Sequence, residues 1–157
     1  LSCADPEIAI KHEAARRQAA RENAYVFHAQ IAHAAGIRLR MIPPGNPTST
    51  MLSQARSYHE RKSLGTVGEL LQTTTEPASD AMLLALTLLI WPAGPWEESQ
   101  SKYPMSPLAT AQNLGLYSSM ELTPSMIQKI QRFHQLVQGR GGVDELRLPG
   151  QVHVLSL

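Results

Sequence analysis

Six histidines, one cysteine and a loose cluster of arginines are the residues through which this 157-residue chain could do chemistry. The histidines are His12, His28, His33, His59, His134 and His153. Two imidazoles on one helix share a metal ion when they lie about four residues apart, so that both point to one side. No pair here has that spacing, and His28 and His33 sit on diverging faces. In His12-Glu13 and His59-Glu60 the carboxylate is the immediate neighbour, which directs the two side chains apart. The spacing therefore predicts no metal ligand and no bound cofactor, with the histidines amphipathic or half-buried. Cys3 is the only cysteine, which excludes a disulfide framework and a Cys-rich zinc site. With no Gly-x-Ser-x-Gly elbow and no histidine placed near Cys3, nothing predicts a nucleophilic centre. The chain reads as a non-enzyme.

Gly139-Arg140-Gly141-Gly142 invites comparison with a phosphate cradle. It follows a helix C-terminus, however, where carbonyls and dipole repel anions, and it lacks a preceding strand and the Lys-Ser/Thr pair of a P-loop. A tight turn is the expectation, with Arg140 partly neutralising the carbonyl end. Residues 1–62 carry nine basic and five acidic groups, and residues 63–157 carry five and eight. Arg16, Arg17, Arg21, Arg38 and Arg40 are the candidates for weak phosphate contacts. The other reading is a solvated helix face, since Glu13 and Glu22 are interleaved and aromatic residues are not. A net charge of +1 excludes a strongly basic nucleic-acid module.

The elements that position these groups are helices. Asp5-Pro6-Glu7 supplies a cap, a first-turn proline and an acid, opening an alanine-rich helix that Gly36 would stop. Ile8, Ala15, Ala19, Val26, Ala29 and His33 fall on one face of it, and its length allows a bend or two helices. Met41-Ile-Pro-Pro-Gly-Asn-Pro47 breaks the pattern, and Asn46-Pro47 caps the next helix. Its expected buried stripe is Met51, Leu52, Ala55, Tyr58, the Lys62 stem, Val67, Leu70 and Leu71, with a bend at Gly65 or Gly68. Ser79-Asp80 then opens the run Ala81–Trp91, which is apolar on every side and predicts a central buried helix ended by Pro92.

Pro92–Pro107 reads as a surface excursion, and Ser106-Pro107 as the cap of a short helix ending at Gly115. Thr123-Pro124 starts the last helix, with Leu122 stapled to Ile127, the stripe Met126, Ile130, Phe133 and Val137 buried, and Gly139 closing it. Val152–Leu155 is the one candidate strand. The fold class is all-α, an irregular bundle of about five to six helices in one domain over residues 1–157.

Charged residues make up 17% of the chain, against about a quarter in most soluble domains. Apolar surface is thus expected to meet a partner. No apolar run approaches the about 20 residues of a membrane span, and no signal peptide opens the sequence. The absence of an initial Met and the apolar end at Leu157 suggest a soluble, intracellular piece of a larger protein.

Three segments, in order, resemble the fungal-specific transcription factor domain, the helical regulatory region of fungal zinc-cluster transcription factors. Tyr58-His-Glu-Arg-Lys-Ser-Leu-Gly-Thr-Val-Gly-Glu-Leu-Leu71 is similar to that family's helix of an aromatic or histidine, basic residues and leucine pairs. Ser79–Leu89 is similar to its apolar helix, which opens on a Ser/Thr-Asp cap. Ile127–Leu146 resembles its helix ending in Arg-Gly-Gly followed by a leucine, and is the most specific of the three. Together they cover about half the chain. The sequence departs from the family in the long Pro92–Thr123 connection, in residues 1–50, which match only as generic helix, and in lacking the six-cysteine cluster.

The resemblance implies a nuclear regulator of transcription that works through protein partners, an effector or self-association. It implies DNA binding only through a zinc cluster outside this chain. Arg140, Gly141 and Gly142 would be a structural turn. Two other readings stay open: an α-helical adaptor docking by an apolar surface, and a small helical ligand-binding protein or enzyme with a polar pocket.

Overall fold

A computed structural model describes residues 6–43, 45–90 and 124–147. Five helices and one short 3-10 turn account for most of them, with no strand among the described residues. The all-α expectation holds. The helices are α1 (Pro6–Glu22), α2 (Ala24–Met41), α3 (Pro47–Thr73), α4 (Asp80–Ile90) and α5 (Pro124–Gly139), followed by the 3-10 turn Val143–Glu145. The Asp5 cap, the Pro92–Pro107 excursion, the Ser106–Gly115 helix, the Leu122 staple, the Val152–Leu155 strand, Cys3 and His153 all lie outside the described residues.

The long first helix is two helices. Asn23 takes an extended conformation (φ −133°, ψ 109°), and its side-chain amide donates to the Ala19 carbonyl at 3.1 Å instead of capping α2. Gly36 does not stop α2, which continues through it to Met41. Glycine without a following break only lowers helix stability by about 1 kcal/mol, and buried packing at Gly36 and Ala35 offsets that. The real stop is Ile42, which adopts φ −97°, ψ 134° because it precedes Pro43.

Asn46 caps α3 as expected, its Oδ1 accepting from the Thr48 N–H at 2.9 Å, with Pro47 in the first turn. The helix runs unbroken through Gly65 and Gly68. The expected stripe needs correction at three positions. Met51, Tyr58 and Lys62 are exposed, whereas Ser63 and Val67 are the buried residues of α3. Ser63 tolerates burial because its Oγ donates to the Tyr25 carbonyl at 2.8 Å, tying α3 to α2.

The core lies where α2, α3 and α4 meet, with Val26, Ala29, Val67, Leu83 and Ala85 nearly or fully inaccessible. Ser79 begins α4 by accepting the Met82 N–H on its Oγ at 3.2 Å. Residues Met82 to Ala85 and Thr87 to Ile90 of α4 are buried, so this helix is central, as its composition predicts; Leu86 is only half-buried. Thr87, the one polar residue among them, donates its hydroxyl to the Leu83 carbonyl at 2.8 Å. Val137 of α5 and Leu146 beyond it complete the core.

Candidate functional site

The glycines after α5 build a defined cap. Gly142 N–H bonds the Val137 carbonyl and Gly141 N–H the Gln138 carbonyl, both at 3.0 Å, which is the paired bonding of a Schellman motif. Gly141 (φ 112°) and Gly142 (φ 99°) occupy conformations that side chains with a Cβ disfavour. The helix ends at Gly139, where the sequence places its close, and the left-handed position of the cap falls on Gly141. The turn then sends Leu146 back into the core.

Arg140 does not serve its own helix end, contrary to the sequence reading. Its guanidinium crosses to the start of α4, where Nη2 lies 2.7 Å from Asp80 Oδ1 and Nη1 donates to the Ala78 carbonyl at 2.7 Å. The Asp80 contact is mainly Coulombic, because no donor is aligned on Oδ1 and Arg140 Nε has no acceptor. Asp80 Oδ2 also accepts the Arg147 N–H at 3.3 Å. An acid in the first turn of α4 additionally gains from the helix dipole. Asp80 and Arg140, distant in sequence, form one partly buried lock that fastens the end of α5 to the start of α4.

Two of the candidate phosphate-contacting arginines, Arg16 and Arg17, already face an acid. Arg17 Nε donates to Glu13 Oε1 at 2.9 Å, and Arg16 lies 3.7 Å from the same carboxylate. Arg21 and Arg38 are exposed on α1 and α2, and Arg40 is in the last turn of α2. The acids interleaved with α1 thus offset much of its charge.

His33 and the pair His28/His59 are the polar groups the sequence left without roles. His33 Nδ1 lies 3.0 Å from the Leu88 carbonyl, so Nδ1 carries the proton and serves a carbonyl in the last turn of α4. His28 of α2 and His59 of α3 face each other, Nδ1 to Nδ1, at 2.7 Å. One Nδ1 must hold a hydrogen and the other a bare lone pair. Phe27 and Tyr58 flank them edge-on, with Tyr58 5.1 Å from His59 between ring centroids, and Lys62 Nζ is 5.9 Å from the Tyr58 ring. Burial, then His59, then Lys62 push the His28 pKa below its ordinary value. Ligand spacing within single helices carries no sign of this pair, since the two residues belong to different helices. The available signal was each residue's place on the facing sides of α2 and α3. His12, half-buried on α1, also has a lowered pKa, through burial and then Arg16, with Glu13 opposing. His134 is exposed.

An apolar groove of about 270 Å³ opens between α3, α4 and α5, lined by Leu64, Leu86, Leu89, Ile90 and Phe133. The Glu60–Lys129 ion pair, at 3.5 Å, stands on its rim. Charged groups at the edge and an apolar floor suit shape-based contact more than acid–base work. No helix of the described residues is long and apolar enough to cross a membrane. The chain matches no family model, no curated protein and no solved structure.

Proposed function

We propose that this chain is a helical regulatory region of a transcription factor of the fungal zinc-cluster type. It acts in the nucleus by associating with a partner, an effector or a second copy, and leaves DNA contact to a zinc cluster outside it. On this reading the chain is not an enzyme and needs no cofactor of its own to regulate.

The observation that supports it is the Asp80–Arg140 lock. The Ser79-Asp80 cap and the Arg140-Gly141-Gly142 turn are marks of two of the segments that resemble the family. Here they meet in one contact, and the leucine following the turn, Leu146, enters the core beside α4. Residues that look unrelated along the chain thus share one structural task. The offset arginines of α1 agree with a role that does not read bases.

A second reading, the α-helical adaptor, draws on the groove over Leu64, Leu86 and Phe133. Tethering separates the two. Residues 1–157 fused to an unrelated DNA-binding domain should change reporter transcription beyond that domain alone. An inert fusion contradicts the regulatory reading and favours the adaptor.

A further inference from the structure

We propose that His28 and His59 form a two-imidazole site for a divalent transition-metal ion, Cu²⁺ foremost, which clips α2 to α3. The inference goes beyond the regulatory reading and does not depend on it. Two nitrogen donors from separate helices already lie 2.7 Å apart, with ring centroids 4.9 Å apart, so the rings meet nearly end-on. Metal–imidazole bonds are about 2.0–2.1 Å long. Two neighbouring ligands sit roughly 2.9 Å apart on a square-planar ion and roughly 3.3 Å apart on a tetrahedral one, so either ion needs the nitrogens to part from their hydrogen-bonded separation, the square-planar one by less. The tetragonal preference of Cu²⁺, and its place at the top of the affinity order, favour it over Zn²⁺.

Loading requires the rings to swing so that both lone pairs aim at the ion, which half-buried side chains can do. The proton on one Nδ1 moves to Nε2 of the same ring, so two neutral imidazoles bind without net proton release. No group of three or more His, Cys, Asp or Glu side chains gathers at metal range among the described residues, so water completes the coordination. Lys62, beside Tyr58, opposes a cation here. Both features make the site an exchangeable one.

The test uses the whole chain with Cys3→Ser, so that the thiol does not compete, titrated with Cu²⁺ at neutral pH. The expected result is one ion per chain, electron paramagnetic resonance hyperfine structure from two imidazole nitrogens, and a raised melting temperature. His28→Gln and His59→Gln should each weaken binding by more than about tenfold, since even outer-shell losses have effects of that size. His134→Gln should bind as the parent does. Equal binding by the His28 or His59 variants, or no stoichiometric uptake by the parent, would overturn the proposal. Should both variants misfold by circular dichroism, the parent's hyperfine pattern decides: two nitrogens support the site, and none or one refutes it.

Discussion

Removing Arg140 should cost far more than a surface arginine, and the cost should depend on Asp80. The two side chains are 20% and 18% exposed, between an exposed ion pair worth about 0–1 kcal/mol and a buried one whose rupture costs about 3–5 kcal/mol. Arg140→Ala also deprives the Ala78 carbonyl of its donor. Asp80 keeps the Arg147 N–H and the α4 dipole, which softens the loss. These contributions place Arg140→Ala at about 2–3 kcal/mol of destabilisation. Asp80→Asn should cost about 1–2 kcal/mol, because the guanidinium retains one carbonyl acceptor. In the double variant the second substitution should cost about 1–2 kcal/mol less than it does alone. Arg140→Lys should restore little, since one ammonium cannot span carboxylate and carbonyl as the planar fork does. Urea unfolding followed by circular dichroism measures all four. Strictly additive losses, or an Arg140→Ala effect within about 0.5 kcal/mol of zero, would refute the lock.

Other outcomes follow from the packing, the titration and the charge. Leu83→Ala, at a fully buried position, should lose about 3–4 kcal/mol, and Leu86→Ala on the groove wall clearly less; equal losses in urea would contradict the assigned orientation of α4. The lowered pKa of His12 means that the unfolded chain binds its proton first, so the native state loses stability as pH falls below the ordinary value of 6.5. The loss continues until pH passes the folded value, and His12→Gln should flatten this part of a pH–stability curve; an unchanged slope counts against the burial of that ring. Electrophoretic shifts should show only weak binding that fades with salt and ignores sequence, because Arg16 and Arg17 already face Glu13. Sequence-selective binding by residues 1–157 would overturn the assignment of DNA contact to another region.

Helix starts were legible because capping chemistry is local: Asn46-Pro47, Ser79-Asp80 and Pro124 each open a helix where the sequence places one. The centrality of α4 was legible too, since a helix apolar on all sides has no solvent face to offer. The inner face of α3 was less so. Met51 and Tyr58 fit the period yet remain exposed, and a serine takes the buried place beside Tyr25, because which side of α3 meets α2 is set by the packing of the two helices and not by the period of one. Gly36 misled because a glycine ends a helix only when the chain beyond it also departs, and here Pro43 set the end. The partners of Arg140 and the meeting of His28 with His59 were invisible for one shared reason. Both join different helices, and periodicity within a segment carries no information on which faces will oppose each other.

Reporter transcription driven by residues 1–157 on an unrelated DNA-binding domain decides whether this helical fold regulates. It is compared with that domain alone and with a Leu83→Asp fusion, whose buried unpaired carboxylate should unfold the core. The parent fusion should shift transcription, and Leu83→Asp, at equal abundance, should not. A parent fusion indistinguishable from the bare DNA-binding domain, or a shift that persists in Leu83→Asp, would contradict regulation by this helical fold.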